Sequence, residues 1–434
     1  MTTKQRQIAL KEHLTFGMKR PTVLSQIEGF DLVEGFVLDI MHQFDEGVTK
    51  YLLGQLCEHD SVLRLPKSKI QQINEQWLSV VIPGHHNRPP RDILEYKRMK
   101  AHELRFFMQH AAPFVLKNIL PENVYKVFCH ASRVIWLCTK ESITTTDINE
   151  LQTQCHDFLK SFQHYFGIGE MKYSVHLMQH IPYAVELFGP LHILSCYGPE
   201  HNIGKISRRV LAMNNTAKHI MNNFNMLTTC ALKLNEARNN STAISATHHA
   251  VSAVLGLSRE AEFLPEAGVS GARCTFIGKA TPLPVHHTVY RLLQERLHRS
   301  APQMFTFQRC KVENGIFVRT RERNEGYLRN ECIVCTDDGI VIAVDHVIAV
   351  VDDRCVIITD SFVSGHLLLR NDNYGPVAGT REAKIDHIFP ATLDEQSDLV
   401  LFETKFISKQ MVLLRPPKDG MYILSPPSNQ FRLS

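Results

Sequence analysis

The stretch from Tyr173 to Arg209 contains side chains whose types suit metal and phosphate chemistry. Within it, His176 and His180 are four residues apart, and a helix would place both imidazole rings on one face. Neutral imidazoles bind zinc and other transition ions. The spacing therefore predicts a helical face that can contribute two ligands to a metal site.

A carboxylate follows the histidine pair at a predicted helix start. Gly198-Pro199 precedes Glu200, and proline suits the first helical position because its missing N–H would have no partner there. The helix would align Glu200 with Gly204 and Arg208. A carboxylate, a small residue and a base in one row can approach a phosphate backbone through a metal ion. The alternative is an acid that only complements the positive end of the helix dipole.

A second stretch places an aspartate three residues before a histidine. After a short run that is predicted to be extended (36–38), apolar residues recur with helical spacing from Ile40 to Leu56. Asp39 and His42 lie at the start of this pattern and would share one face, where they could hold a metal ion or support each other. The alternative is a capping aspartate beside a histidine with ordinary, satisfied hydrogen bonds.

Together, the two stretches resemble the CACTA-type (En/Spm-like) family of DDE transposases. The last catalytic segment of that family reads roughly HLxxHLxxxxxxFGPLxxFSxFPFExxLGKIKR, which this chain matches through Glu200 and the Gly204-Lys205 pair. A second family motif, FDxVxGFxxDYMHxVxxGVxKxLL, is similar to the residues around Asp39 and His42.

A third motif extends the resemblance into the region between these stretches. The family reads RPPRxLxxxxxWKAxExRxxLLY, and this chain matches it from Arg88, with Met99 in place of the tryptophan. The resemblance covers roughly residues 29–225, about half of the chain. It implies that this part corresponds to the helical insertion and last helix of an RNase H-like transposase.

The resemblance also implies roles for the matched residues. Glu200 would be the third carboxylate of a metal-binding triad, with Asp39 and His42 as the accompanying landmark. Such sites hold two Mg²⁺ or Mn²⁺ ions about 3.5–4 Å apart for phosphoryl transfer. The family carries its first two aspartates upstream of the landmark, but only Asp31 occurs among the 38 residues before Asp39. We therefore expect the first two catalytic carboxylates to be missing and the chain to lack autonomous DNA cleavage.

Zinc is expected to bind only weakly. In related transposases a Cys-x-x-Cys joins the histidine pair around a structural zinc, and no such motif precedes His176 and His180. Cys332 and Cys335 have that spacing, but they stand in a predicted β-strand without a second ligand pair, whereas structural zinc takes four ligands.

Three interpretations of function follow. The first is a transposase-derived protein without autonomous catalysis that binds DNA or partners such as other transposase or chromatin proteins. The second is a fragment of an active metal-dependent transposase that needs an N-terminal half, which an in-frame coding sequence upstream of Met1 would favour. The third is an unrelated protein–protein interaction module.

DNA binding would need a local basic surface, because the formal net charge is only +4 over 434 residues. Residues 273–329 carry eleven basic and four acidic side chains, a local excess of seven positive charges. One cluster lies within this segment and another directly follows Glu200; the alternative for the first cluster is a solvated turn. The candidate phosphate contacts are Arg319, Arg321, Arg323, Lys205, Arg208 and Arg209.

Composition narrows the class of protein. Hydrophobic residues make up 44% and charged residues 21% of the chain, which is ordinary for soluble globular proteins. No apolar run approaches the roughly 18 residues of a membrane span, and the N-terminus lacks the apolar core of a signal peptide. Eleven scattered cysteines suit reduced thiols. We expect a nuclear or cytoplasmic protein that is not secreted and has no membrane partner.

The sequence predicts an α+β protein with two structured domains. Helical periodicity dominates the first domain, apart from a polar connector at 60–90, and the second has short β-rich runs that predict a small barrel or sandwich. Asp338-Gly339 predicts a hairpin between two of these runs. The predicted boundaries are a polar lead-in at 1–28, a helical transposase-like domain at 29–240, a linker at 241–272 and a β-rich domain at 273–434.

Overall fold

The computed structural model shows an α+β chain with most helices in its N-terminal half and most strands in its C-terminal half, which confirms the predicted α+β class and this order of helices and strands. Most of the predicted lead-in, the whole predicted linker and two candidate DNA contacts (Arg208 and Arg209) lie outside the described residues. The structure describes residues 23–28, 30–31, 34–83, 86, 88–207, 216–239, 274–298, 302–312, 316–324, 329–351, 358–371, 378–380, 385, 387–394, 399–418 and 421–425.

Helices fill the first part of the described chain. None of the described helices is both long and apolar enough to cross a membrane. Two segments are wound more widely as π-helix, Met41–Thr49 directly before α1 and Phe107–Ala111 between α3 and α4. The α-helices are α1 (Lys50–Cys57), α2 (Lys67–Leu78), α3 (Ala101–Phe106), α4 (Ala112–Val115), α5 (Glu122–Cys138), α6 (Thr145–Phe166), α7 (Tyr173–His176), α8 (Ile181–Phe188), α9 (Tyr197–Ser207), α10 (Thr216–Asn239), α11 (Thr288–Leu297) and α12 (Arg321–Asn324). Short 3₁₀ turns occur at Val23–Gln26, Ile93–Arg98, Ile168–Glu170, Leu177–His180 and Thr404–Phe406.

Helix α5 is the centre of the helical part. Thirteen of its 17 residues are buried, so it is enclosed around most of its circumference rather than along one stripe. Helix α6 packs against it and begins at a capping box in which Thr144 and Asp147 satisfy each other's backbone N–H groups. Helix α6 ends before Gly167, whose φ of +86° favours glycine.

Strands dominate the second part. Among the described strands, all pairs are antiparallel except β1–β7. The largest sheet follows the order β13-β8-β9-β10-β11-β15-β14, with β4 and β12 added on β9 and β10. The strands are β1 (Ile82–Pro83), β2 (Cys274–Ile277), β3 (Thr281–Pro282), β4 (Gln303–Phe307), β5 (Arg309–Val312), β6 (Phe317–Arg319), β7 (Arg329–Asn330), β8 (Ile333–Thr336), β9 (Val341–Val351), β10 (Ile358–Arg370), β11 (Phe389–Leu393), β12 (Val400–Glu403), β13 (Ile407–Gln410), β14 (Val412–Lys418) and β15 (Met421–Ser425).

The hairpin predicted at Asp338-Gly339 is confirmed. Strands β8 and β9 pair antiparallel on either side of it, and Gly339 N–H donates to the carbonyl of Thr336 at 3.0 Å. Its φ of +82° lies in the left-handed region that glycine adopts without strain. The pairing of the large sheet runs as an open path between β13 and β14, so among the described strands it does not show a closed barrel.

One of the four hydrophobic clusters among the described residues contains side chains of both the helical and the strand-rich part. Leu414 and Ile423 from the last two strands are buried in the same cluster as Phe128 and Ile135 of α5. A side-chain hydrogen bond of 2.9 Å joins His110 to Ser425 across the same boundary.

Backbone and ring contacts reinforce this junction. Strand β1, from the helical part, pairs in parallel with β7. Val81 and Leu413 exchange two backbone hydrogen bonds of 2.9 and 3.2 Å. The Trp136 ring stacks on His387 with a centroid separation of 4.1 Å. The two parts are therefore built against each other.

The connector predicted at 60–90 is wrong in one respect, because it contains helix α2. This helix has only two buried apolar positions, Ile73 and Trp77, spaced four residues apart. So few apolar residues give little periodic signal, and tertiary burial of the tryptophan stabilises the helix instead.

Two further expectations about periodicity are wrong. Residues 36–38 form no strand and lead directly into the π-helical segment. The predicted switch to extended structure after residue 273 is interrupted by α11, which buries Val289, Tyr290 and Leu293 at helical spacing. The strong β pattern on both sides of α11 concealed this one short amphipathic helix.

Candidate metal-binding site

Asp39 is held at the start of the π-helical segment by backbone hydrogen bonds. Its carboxylate accepts from the N–H of Met41 at 3.3 Å and from the N–H of His42 at 3.1 Å. The capping role that the sequence left as an alternative is therefore present. It also fixes the carboxylate beside the imidazole of His42, because both groups are on the same turn.

His42 connects the two sequence motifs. Its Nδ1 contacts Asp39 Oδ2, and its Nε2 lies 3.0 Å from Glu200 Oε1. The side chains of His42 and Glu200 are 52% and 55% exposed, so the site opens to solvent. The structure thus brings together all three residues that the sequence singled out as catalytic candidates.

The start of helix α9 positions Glu200. The helix begins at Tyr197, two residues before the proline that marked its predicted start. The N–H of Cys196 donates to Asp39 Oδ1 at 2.9 Å, and the N–H of Glu200 donates to the carbonyl of Cys196 at 2.9 Å. Asp39 therefore fixes the first turn that carries Glu200.

A buried ion pair lies directly behind this site. Asp45 and Arg105 have no exposed side-chain surface, and Arg105 donates through Nε to Asp45 Oδ1 and through Nη2 to Oδ2, the latter at 2.6 Å. The hydroxyl of Tyr197 donates to Asp45 Oδ2 at 2.7 Å. Because Asp45 is on the π-helical segment and Tyr197 is in the first turn of α9, these bonds join the two elements that carry the site.

Burial and charge shift the pKa values around the site. Burial acts against the charge of His42, but the hydrogen bond and charge of Asp39 and the charge of Glu200 outweigh it and raise the pKa of His42. Burial acts to raise the pKa of Asp39, but hydrogen bonds from the N–H of Cys196 and from His42 lower it overall. Burial raises the pKa of Asp45 to about 6 against the opposing effect of Arg105.

The donor set at this site can hold a metal ion. Ligand atoms of Asp39, His42 and Cys196 all lie within 4.8 Å of one another, and it is the one such group of three found among the described residues. Glu200 is outside this group of three, and its Oε1 lies 3.0 Å from His42 Nε2. A histidine whose Nδ1 is held by a carboxylate presents a fixed Nε2 to a metal, which is the usual arrangement of metal-binding imidazoles.

A cysteine nucleophile is a poor explanation of the same residues. In a Cys–His–Asp triad the histidine nitrogen remote from the carboxylate takes the thiol proton. Here that nitrogen, His42 Nε2, faces Glu200. Burial and the nearby charge of Asp39 raise the pKa of the Cys196 thiol, whereas an activated nucleophile needs a lowered one.

The predicted histidine pair lies apart from this cluster. His176 ends α7 and His180 ends the following 3₁₀ turn, with ring centroids 5.7 Å apart. Gln179 Nε2 lies 2.9 Å from His176 Nε2. Within the described part of the chain, the two rings belong to no group of three potential ligands. Cys332 and Cys335 are free thiols in or beside strand β8 and belong to no such group either.

The predicted DNA-contacting arginines are engaged within the protein. Arg319, 19% exposed, contacts the buried carboxylate of Glu331 at 3.1 Å. Arg321 contacts Asp345 at 3.1 Å, and Arg323 donates to the amide oxygen of Gln308 at 2.8 Å. Of the second predicted patch, Lys205 is on α9, while Arg208 and Arg209 lie outside the described residues.

Four residues around the site were not anticipated from the sequence. Cys196 precedes Glu200 by four residues, a spacing that places two potential ligands on one side of a helix start, and this signal was available. Asp45, Arg105 and Tyr197 give no such signal, because they come from three separate segments that only the fold brings together.

Comparison with known proteins adds no family assignment. No protein-family model, no curated protein and no solved structure matches this chain.

Proposed function

We propose that this chain is a transposase-derived protein that binds the phosphate backbone of DNA through a divalent cation held by His42 and Glu200, with Asp39 fixing the imidazole ring of His42 from its other nitrogen. The observation that supports this proposal is the contact of His42 with both carboxylates. The two motifs that supply them are joined at this point by a hydrogen bond between residues 157 positions apart. Both motifs belong to the resemblance with CACTA-type transposases, and the proposal includes the RNase H-like origin of this part.

The separation of the ligand atoms suits a shared ion. Ligand atoms about 2.1 Å from one ion, at angles between octahedral and tetrahedral, lie about 3.0–3.4 Å from each other. His42 Nε2 and Glu200 Oε1 are 3.0 Å apart. Both side chains are about half exposed, so a phosphate oxygen could complete the coordination from the solvent side.

DNA cleavage is not part of the proposed function. Two-metal phosphoryl transfer needs several carboxylates that converge on the ions. Asp45, the next carboxylate on the π-helical segment, is fully buried against Arg105 and cannot turn toward Glu200. We expect the purified protein not to nick or join duplex DNA with Mg²⁺ or Mn²⁺. Nicking that disappears in Glu200→Gln would overturn this part of the proposal.

Fluorescence anisotropy of a labelled duplex tests the binding itself. We expect Mn²⁺ to tighten binding and Glu200→Gln to lose roughly tenfold in affinity in Mn²⁺, about 1.4 kcal/mol, with no loss in EDTA. Glu186→Gln removes an exposed carboxylate on α8 that is outside the site, and it should bind like the wild type. Equal affinity in Mn²⁺ and EDTA for the wild type would refute a cation-mediated contact.

The same experiment also decides between DNA binding and a function in protein–protein interaction. The arginines at 319, 321 and 323 contact groups within the protein, which leaves less free positive charge for phosphate than the sequence suggested. If the intact protein binds no duplex at low salt with or without Mn²⁺, the interaction-module interpretation replaces the DNA interpretation.

A further inference from the structure

We propose that helix α10 is a dimerisation element, whose apolar stripe pairs with the same stripe of a second copy of this chain in a two-stranded coiled coil. This inference goes beyond the proposed function, because α10 contains none of the residues of the candidate metal-binding site. It rests on the periodicity of the helix, on its place outside the hydrophobic clusters among the described residues and on the absence of charge beside the stripe.

The apolar residues of α10 follow the spacing of a coiled-coil seam. They recur alternately three and four residues apart, which is the pattern that keeps one stripe of a helix against a partner helix. The same alternation extends back through the sequence to Ile203, over more than four heptads, and it ends at Arg238 in the last turn of α10. On α10 the seam positions hold Ala217, Ile220, Phe224, Leu227, Ala231 and Leu234.

The described part of the chain leaves much of this stripe open to solvent. Among its described side chains, Ala217 is exposed, Ile220 is half-buried and Phe224 is 57% exposed. No residue of α10 belongs to any of the four hydrophobic clusters among the described residues. Since most of the stability of a protein helix comes from packing of its apolar face, this helix of 24 residues needs a partner.

The charges of α10 favour a second copy as that partner. Charged residues at the positions that flank a coiled-coil seam set the choice of partner. On α10 the flanking positions, from Thr216 to Ala237, carry no charged side chain. The charged residues Lys218, Lys233 and Glu236 occupy helical positions away from the stripe. Two identical helices can therefore pair without repulsion between flanking charges, in the twofold-symmetric interface that most dimers use.

Sedimentation velocity of the intact protein, in EDTA and a reducing agent, tests the dimer without metal, DNA or disulfides. We expect the wild type to reach twice the 49.6 kDa mass of one chain as its concentration rises. Phe224→Asp should raise the dissociation constant of the dimer at least about hundredfold, because it replaces two aromatic side chains in the seam by two carboxylates. Phe224→Leu keeps an apolar side chain in the seam and should remain a dimer.

Ala217→Glu is a second disruptive variant, and it removes no large side chain. An acid in the first turn of α10 favours the helix itself, yet at a seam position it should still weaken the dimer. Met226→Asp is the matched control, because Met226 is 53% exposed on the same helix but lies outside the stripe. This control should dimerise like the wild type.

A wild type that stays monomeric up to about 100 μM would overturn the proposal. A dimer that persists in Phe224→Asp and Ala217→Glu would do the same, since the copies would then associate through another surface. Weakening by Met226→Asp as strong as that by Phe224→Asp would also count against the seam, because the effect of a charge would then not depend on the face that carries it.

Discussion

The buried pair of Asp45 and Arg105 is the single most costly interaction to break around the site. Neither side chain has exposed surface, so removing one partner leaves an uncompensated charge in the interior. We expect Arg105→Met to lower the free energy of unfolding by about 3–5 kcal/mol, measured by urea denaturation. Asp60→Asn, which changes a fully exposed carboxylate, should leave the midpoint unchanged.

A double variant distinguishes the stability contributed by the ion pair from the cost of leaving one of its charges buried without a partner. Combining Arg105→Met with Asp45→Leu removes both charges and should restore much of the lost stability, because a buried pair replaced by apolar groups is often neutral or stabilising. An Arg105→Met protein as stable as the wild type would show that Asp45 is accommodated without its partner.

The sequence predicted the residues of the candidate site better than the residues that support them. Asp39, His42 and Glu200 stood out because chemically unlike residues kept a recognisable spacing, and the structure brings them together. Arg105 could not be connected with Asp45, since that contact depends on how α3 packs against the π-helical segment. Local spacing carries no information about such a contact.

The capping box of α6 gives a pH-dependent contribution to stability. Burial acts to raise the pKa of Asp147, but hydrogen bonds from Lys140 and Thr144 lower it overall. A carboxylate with a lowered folded-state pKa stabilises the fold above its unfolded value of 3.8, and that contribution is lost as pH falls through the folded-state pKa.

The corresponding experiment compares Asp147→Asn with the wild type. We expect the variant to lose about 1 kcal/mol of unfolding free energy at pH 7 and little at a pH below both pKa values, measured by urea denaturation across pH. Asp157→Asn, a change at a half-buried position in the middle of the same helix and outside its cap, should show no such pH dependence. A deficit that is constant with pH would mean that Asp147 acts through packing rather than through its charge.

Helices and strands with strong periodicity were predictable, and weakly patterned ones were not. Helices α5 and α6 and the β8–β9 hairpin follow directly from apolar spacing, a capping box and one glycine. Helix α2 was missed because its stability depends on burying Trp77 among residues distant in sequence. Hydrophobic periodicity reflects the local interactions that stabilise a helix. Burial against residues distant in sequence leaves no such periodic pattern.

The shared core predicts that both parts of the molecule unfold together. Leu414 is fully buried in the common cluster, so Leu414→Ala should cost about 2–5 kcal/mol. Both tryptophans, Trp77 and Trp136, are on helices of the helical part, and Trp136 also stacks on His387, so their fluorescence reports this part and its junction with the strands. We expect Leu414→Ala, a change in the C-terminal sheet, to shift the tryptophan transition to lower urea.

Leu369→Ala is the control for this experiment, because Leu369 is 49% exposed on strand β10. It should leave the tryptophan transition nearly unchanged. Two separate transitions in Leu414→Ala, with tryptophan fluorescence unaffected, would show instead that the parts fold independently.

Limited proteolysis tests whether the two parts stay associated after the chain between them has been cut. The small, polar sequence between Asn239 and Gly271 is expected to be cut first. Because β14 and β15 are packed into the helical core, the two fragments should remain associated on size-exclusion chromatography. Fragments that separate, or first cleavage within 173–209, would contradict the prediction.

The hydrogen bond between His110 and Ser425 joins residues 315 positions apart, so it can form only long after His110 has been synthesised. At roughly 5–20 residues per second, about 15–60 s pass between the emergence of one partner and that of the other. During that interval the surface of the helical part that Leu414 and Ile423 later cover has no apolar partner. The nascent chain therefore presents a hydrophobic surface during this interval, and its yield in cells should depend on ribosome-associated chaperones.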